Sequence, residues 1–99
     1  MTLELPEELT IARAVELKAQ LLSAMEGGEA LELSGRAVSE VDVAGLQLLC
    51  AARRTALARG SMVAFAAGSR SAALVLAVAA AGFGSGEDDR WLVEESGDA

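Results

Sequence analysis

The side chains of this chain that could do chemistry are concentrated in one stretch, residues 38–50. Glu40 and Asp42 are two neighbouring carboxylates, a pair that can hold a metal ion or act as general acid and base. Ser39 adds a hydroxyl group, and Cys50 is the only cysteine of the chain. Adjacent loop acids are common, however, and the chain has no histidine to serve as a catalytic partner or metal ligand. The sequence therefore predicts a protein without catalytic residues, metal ion or other cofactor.

The same stretch has the pattern of a loop that turns sharply into a helix. Asp42 is a typical N-cap residue, because its carboxylate can accept hydrogen bonds from the free N–H groups of the first turn. Apolar residues then recur at helical spacing, which predicts a helix from about Val43 to Arg59. Gly45 leaves the helix start open to close approach by another backbone or a partner. Such helix starts bind anions or dock partners, and a capped core helix without a function at its tip is the alternative. The predicted buried side of this helix contains Leu46, Leu49, Cys50 and Leu57.

Strand and helix patterns alternate along the rest of the chain. We expect strands at residues 2–5, 29–33 and 61–66, the last of them central because both its faces are apolar. Residues 34–37 are predicted to be a loop. Trp91 to Val93 adds either a final short strand or a packing plug. The series predicts an α/β fold, with a mixed, mostly parallel sheet of about four strands and helices largely on one side.

The other two predicted helices flank the central one. The first has Thr10 as its N-cap and ends before two glycines, with a broad apolar face made of Ile11, Ala14, Val15, Leu17, Leu21, Leu22 and Met25. The second has Ser69 as its N-cap and extends from about Arg70 to Ala81. Its uncharged run of about 13 to 16 residues is shorter than the roughly 20 needed to cross a bilayer, so we expect no membrane insertion. Its apolar outer face is either a contact surface or a result of the high helix propensity of alanine.

Composition and charge favour one small domain over residues 1–99. The net charge of −7 is concentrated at the C-terminal end, where six acids and one arginine lie in residues 87–99. No basic stripe is present to neutralise phosphates, which argues against a nucleic acid partner. We expect residues 94–99 to be a frayed acidic tail. The acidic start of the chain does not resemble a secretory signal, so the predicted location is cytoplasmic.

The stretch Val41-Asp42-Val43-Ala44-Gly45-Leu46-Gln47-Leu48-Leu49 resembles the signature loop of the STAS domain, which occurs in sulphate transporters and anti-sigma factor antagonists. That loop typically has an apolar residue, Asp, Ser or Thr, Ser or a small residue, and Gly before an apolar helix. The resemblance covers residues 10 to 95 approximately. It includes the strand at Ala30-Leu31-Glu32-Leu33-Ser34, the turn at Arg59-Gly60-Ser61, and Ala67-Gly68-Ser69-Arg70-Ser71 before an Ala/Leu helix. It implies a small STAS-like fold.

The resemblance also implies a function at the tip of the central helix. In anti-sigma factor antagonists of the family, the residue just before the glycine is a serine that a partner kinase phosphorylates. Here that position is Ala44, which has no hydroxyl group and cannot be phosphorylated. In a second branch, a small STAS subunit of a phospholipid-trafficking ABC transporter, a threonine stands where this chain has Val43. Both departures indicate a docking module that lacks the family's switch residue.

We therefore expect a non-catalytic bacterial signalling adaptor of partner-switching or chemotaxis-type regulation, similar to an anti-sigma factor antagonist. Its partner would be an anti-sigma factor, a histidine-kinase-like ATPase or another signalling protein. The sequence leaves open whether the chain forms a homodimer. The predicted partner-binding residues are Ser39, Glu40, Asp42, Val43, Ala44, Gly45, Leu46, Gln47 and Ser69. The alternatives are an accessory subunit of a lipid-transport ABC transporter and, with less support, a nucleotide-binding protein, since no phosphate-binding loop of the Gly-x-x-x-x-Gly-Lys type is present.

Overall fold

The structure, a computed structural model, describes residues 1–93. The predicted frayed tail, residues 94–99, lies outside the described residues. The strands are Thr2–Glu4 (β1), Glu8–Leu9 (β2), Leu31–Gly35 (β3), Glu40–Val41 (β4) and Val63–Arg70 (β5). The α-helices are Ala14–Met25 (α1), Val43–Ala58 (α2) and Ala72–Ala80 (α3), and 3₁₀ turns are formed by Ile11–Arg13 and Arg90–Leu92.

The strands pair in two parallel sheets. The larger sheet has the order β1-β3-β5, and β2 pairs with β4 in a separate two-stranded sheet. Leu3 pairs with Leu33, and Leu33 pairs with Phe65, so these three side chains point to the same face. The predicted α/β fold with a mostly parallel sheet is confirmed.

The core lies on this face of the larger sheet. Leu33 and Phe65 are fully buried there, together with Leu31 and Val63. The alternate residues point to the opposite face, where Glu32 and the β1 residues Thr2 and Glu4 are exposed. Helix α2 contacts β5, and α1 packs on α2. The helices therefore cover one face of the larger sheet, as the sequence predicts.

The prediction that the third long strand is central is wrong, because β3 lies between β1 and β5. The apolar side chains of β5 are covered by α2 and by the 3₁₀ turn Arg90–Leu92. Phe65 stacks on Trp91, with the ring centroids 5.6 Å apart. Trp91 and Leu92 are buried in a 3₁₀ turn, so of the two alternatives for this segment the packing plug is the one observed.

Helix α1 buries a narrower face than predicted. Leu17, Leu21 and Met25 recur every four residues and are buried, as expected for the stripe that faces the core. Ile11 and Val15, which we assigned to the same face, are 69% and 84% exposed. The predicted capping role of Thr10 is also not observed, because its side chain makes no cap hydrogen bond and a 3₁₀ turn precedes the helix.

Helix α2 has nearly the predicted bounds, but its buried side differs at the C-terminal end. Leu46, Leu49 and Cys50 are buried as predicted, whereas Leu57 is exposed and Ala56 is buried in its place. Gly60 follows the helix with a φ of +78°, a conformation that favours glycine. The predicted stop at this glycine is therefore confirmed.

The start of α3 corrects two predictions. Ser71, not Ser69, is the N-cap, and its hydroxyl accepts a hydrogen bond from the Leu74 N–H at 3.1 Å. Ser69 belongs to β5, is buried, and donates its hydroxyl proton to the Leu33 carbonyl at 3.2 Å. Ser34 and Gly35 belong to β3, although we expected a loop there. Across residues 1–93, none of the helices combines the length and apolar content that crossing a membrane requires.

Candidate functional site

The N-terminal tip of α2 is held by the small β2–β4 sheet. Asp42 N–H donates to the Leu9 carbonyl at 3.1 Å, and Ser39 N–H donates to the Glu7 carbonyl at 2.8 Å. The Ser39 hydroxyl donates to the same Glu7 oxygen at 3.4 Å. The β2 strand has only two residues, too few for an alternation of polar and apolar side chains to reveal it, and the sequence prediction missed it. The chain before α1 thus fixes the loop that leads into α2.

The Asp42 carboxylate joins two elements that are remote in sequence. Its Oδ1 accepts a hydrogen bond from the Gly45 N–H at 3.0 Å, which confirms the predicted N-cap. Its Oδ2 accepts a second from the Ile11 N–H, also at 3.0 Å. These bonds lower the pKa of Asp42 below its ordinary value, and the Ile11 N–H contributes most. Because both oxygens bind backbone donors, Asp42 is a positioning residue.

The geometry does not combine Asp42 and Glu40 in a metal or acid–base site. Glu40 is exposed on β4, and both Asp42 oxygens face backbone N–H groups. Across residues 1–93, three or more carboxylate, cysteine or histidine side chains do not cluster anywhere in a way that could hold a metal ion. Asp42 therefore holds the start of α2 in place, and Glu40 faces the solvent.

The space beside Gly45 is filled by the chain itself. A Cβ atom at this position would collide with the Leu9 carbonyl oxygen and would lie 2.5 Å from the Leu9 carbonyl carbon. We expected Gly45 to admit another backbone or a partner, and the backbone that approaches is that of β2. Gly45 and Leu46 are both buried and form no part of the exposed surface.

The remaining predicted partner-binding residues differ in exposure. Ser39, Glu40, Val43 and Gln47 are exposed, whereas Asp42 and Ala44 are partly buried. Val43 is the large apolar side chain of this group, and 48% of its surface is exposed. Ser69 is buried within β5 and does not reach this surface. The exposed tip is therefore smaller than predicted, and we call Ser39, Glu40, Val43, Ala44 and Gln47 the tip surface.

A groove of about 650 Å³ continues from the tip surface along α2. Ala44, Leu48 and Ala51 form its floor. One wall is the beginning of the first helical segment, and the other is the chain that follows α3. The wall residues are Ile11, Ala14, Phe83, Asp88 and Asp89. Gln47, Cys50 and Arg54 complete the lining.

The groove wall that follows α3 is acidic. Asp88 is exposed and Asp89 is partly exposed, and Asp89 Oδ1 accepts a hydrogen bond from the Gly86 N–H at 2.8 Å. Cys50 borders the groove, but the thiol group is largely covered. Burial raises the pKa of the Cys50 thiol, so it stays protonated and unreactive near neutral pH.

The sequence prediction did not identify this groove. The sequence predicts Ile11 on the buried face of the first helix, and Asp88 and Asp89 as part of an acidic C-terminal segment. Leu48 carried a signal that could have been used, because it lies one helical turn after Ala44 and falls on the same face. The sequence predicts Trp91 to Val93 as a strand or a packing plug, but it does not show where residues 83–89 lie relative to α2.

Comparison with known proteins gives one family match. The family model described as "Mlab, STAS domain" matches residues 1–92. No curated protein and no solved structure matches the chain. The matched range includes β2, β4, α2 and both walls of the groove.

Proposed function

Because the chain belongs to the STAS domain family, we propose that it acts as a non-catalytic protein-binding module, an adaptor similar to an anti-sigma factor antagonist. STAS domains generally mediate protein–protein interactions. The proposed task is partner-switching or chemotaxis-type regulation in the bacterial cytoplasm, including control of transcription. The proposed partner is an anti-sigma factor, a histidine-kinase-like ATPase or another signalling protein.

The observation that supports this proposal most is the exposure of Val43 on a rigid support. Val43 is the first residue of α2 and is 48% exposed, so about half of its apolar side chain is open to a partner. The two hydrogen bonds of Asp42 hold this helix start in one orientation. A surface held in one conformation loses little conformational entropy on binding, which favours docking.

Ala44 removes the family's phosphoacceptor position from the surface of the proposed adaptor. The side chain is a methyl group, so a kinase cannot attach phosphate at the position where the family carries its phosphoacceptor serine. A phosphate there would add a charge of about −1.5 to −2 and would expel a partner from the tip. We propose that binding is controlled by the amount of adaptor or by its partner instead.

The test of this proposal compares substitutions at two valines of nearly equal exposure, Val43 and Val75. Val43→Glu places a charge on the tip surface, and Val75→Glu places the same charge on α3, where the valine is 50% exposed. Tagged full-length proteins serve as baits in cytosol and membrane fractions of the source cells, and mass spectrometry identifies the captured proteins. We expect the wild type and Val75→Glu to capture a signalling ATPase or anti-sigma factor, and Val43→Glu to lose it.

Capture of the same partner by Val43→Glu would contradict a role for the tip. Circular dichroism of both variants is the control for folding, since exposed substitutions should leave the fold intact.

The outer face of α3 supports one alternative, an accessory subunit of a lipid-transport ABC transporter. Val75 and Leu76 are exposed on a helix that carries no charged residue, and such a face suits a contact with another subunit. In the capture experiment, this alternative predicts a transporter ATPase or permease from the membrane fraction. Its loss with Val75→Glu but not with Val43→Glu would favour the alternative.

A further inference from the structure

We propose that the groove beside α2 binds an amphipathic helix of the protein partner, with apolar side chains on the α2 floor and a lysine or arginine against Asp88 and Asp89. This inference rests on the protein-binding function proposed above and adds the shape and charge of the partner segment.

The floor of the groove has the length and the flat surface that a short helix needs for packing. Ala44, Leu48 and Ala51 are spaced by four and three residues, so they lie on one face of α2. The lining continues to Arg54, and the ten steps from Ala44 to Arg54 at about 1.5 Å each give a length of roughly 15 Å. Two of the three floor side chains are methyl groups. A second helix can therefore approach closely, near the lower end of the usual interaxial distance of about 8–10 Å.

The walls supply apolar surface that the fold leaves in water. Ile11 is 69% exposed at one wall, and Phe83 is partly exposed at the other. The hydrogen bond from Ile11 N–H to Asp42 fixes the backbone of the first wall beside the tip surface. A partner side chain inserted between Ile11 and Phe83 would remove apolar surface of both residues from water.

The charge of the second wall decides which occupant fits. Asp88 and Asp89 both line the groove, and neither makes a salt bridge to any residue from 1 to 93. Arg54 is the cation in the lining, on the α2 side. Glu87, exposed beside Asp88, adds to the negative charge of the second wall.

This charge favours a basic partner segment, because opposite charges at the rim of an interface set its specificity and speed its association. A second copy of this chain, with a net charge of −7, would instead bring negative charge to an acidic wall. A purely apolar small molecule would bring no positive charge to these two carboxylates.

The test is a selection of helical peptides on the full-length protein. A phage-displayed library fixes a helical scaffold of about 15 residues and varies one face among apolar residues and the flanking positions among Lys, Arg, Glu, Asp and Ser. We expect enrichment of peptides with apolar residues at i, i+4 and i+7 and a basic flanking residue. Dissociation constants of the selected peptides are then measured by fluorescence anisotropy.

Three variants locate the binding site. Ala51→Glu introduces a charge into the floor, and Asp88→Lys reverses a charge at the exposed rim, where folding is not at risk. Each should weaken binding at least about tenfold, as expected for the loss of a central contact or an opposed charge. Ala19→Glu makes the same substitution as Ala51→Glu at an exposed position of α1 outside the groove and should leave the affinity within about twofold.

The inference is overturned if no peptide is enriched, if the enriched peptides lack basic residues, or if Ala51→Glu and Asp88→Lys bind them as well as the wild type. The partner-capture experiment separates this failure from that of the proposed function. A partner lost with Val43→Glu but kept with Ala51→Glu leaves the tip as the docking surface and overturns the groove. A partner kept by both variants overturns both proposals.

Discussion

Of the glycines in residues 1–93, Gly45 is the one beside which the fold leaves the least room for a side chain. The Leu9 backbone occupies the place that a Cβ atom would take, and this contact holds β2 against the first turn of α2. Many glycines at helix starts serve only a turn, but here the requirement is space, because Gly45 is not among the residues with positive φ.

Gly45→Ala is therefore expected to destabilise the protein by about 1–3 kcal/mol, the usual cost of forcing a methyl group into a filled site. Gly27→Ala is the matched control, since a Cβ atom there would meet nothing within 4 Å and the backbone φ is not in the left-handed region. We expect that change to be neutral or to raise the free energy of unfolding by less than about 1 kcal/mol. Urea unfolding followed by circular dichroism measures both, and equal midpoints for the two variants would contradict the prediction.

Asp42 gives the tip a dependence on pH with a defined sign. The folded state lowers the pKa of this carboxyl below the value of about 3.9 expected in an unfolded chain, so ionised Asp42 stabilises the fold above that pH. The contribution is lost as pH falls through the folded pKa. Asp42→Asn keeps one oxygen acceptor but lacks the charge, and it leaves the Ile11 N–H or the Gly45 N–H without its partner.

We expect the urea midpoint of wild type to exceed that of Asp42→Asn by the largest margin near pH 7. The margin should begin to shrink below about pH 4, where the unfolded chain binds a proton at Asp42 first, and it should be lost as the pH falls through the lower pKa of the folded state. The other acids titrate in both proteins, so the comparison isolates Asp42. A margin that stays constant from pH 7 to pH 3 would show that the carboxylate charge is not involved.

Among the helices and strands, the start of α3 shows how the N-cap predicted from local sequence can be wrong by two residues. Both Ser69 and Ser71 can cap a helix, and the sequence does not distinguish them because both precede the same apolar run. The choice is made by β5, which continues to Arg70 and uses the Ser69 hydroxyl for a bond to Leu33 in β3. Pairing with a strand 36 residues away overrides the local preference.

Ser71→Ala should destabilise the protein by about 1 kcal/mol, because the Leu74 N–H loses its side-chain acceptor. Ser85→Ala is the control, since Ser85 is exposed in the segment after α3 and we expect no measurable change. Thermal melting followed by circular dichroism at 222 nm compares them. If Ser71→Ala melts at the same temperature as Ser85→Ala, the capping bond does not contribute to stability.

The helices and the long strands could be predicted from sequence because their apolar residues recur over several turns or follow capping and stop residues, as Asp42 and Gly60 do for α2. The predictions that failed concern features that depend on contacts between segments remote in sequence. Strand β2 exists because β4 pairs with it. Ile11 is exposed because the helix that follows it buries only the stripe of Leu17, Leu21 and Met25. The capping residue Asp42 was enough to locate the tip from the sequence. The groove could not be predicted, because one of its walls is the segment after α3, whose position depends on the tertiary fold.

For the entire chain, Trp91 is a reporter of the fold. It is the only tryptophan, it is buried against Phe65, and the Arg53 guanidinium lies 5.2 Å from the centre of its ring. Its fluorescence therefore depends at once on the packing of α2, of β5 and of the 3₁₀ turn Arg90–Leu92. The proposal of one domain over residues 1–99 can be tested through this single probe.

We expect Trp91 emission to shift to longer wavelength on unfolding, with the same urea midpoint as the loss of helix measured by circular dichroism. Coincident transitions are the mark of one cooperative unit. An earlier fluorescence transition would mean that the segment around Trp91 detaches while the helices remain, and the chain would then contain more than one unfolding unit.

The bond between Asp42 and Ile11 also bears on the order in which the molecule assembles. The two residues are 31 positions apart, so the loop between them must close before the bond can form, and loop closure costs conformational entropy. Contacts of this separation form slowly compared with the turns of a single helix. The tip is thus expected to be completed late, after α1 and β3 have packed. A synthetic peptide of residues 38–58 would contain all five residues of the tip surface and still lack the docking surface, because the supporting strand β2 lies elsewhere in the chain.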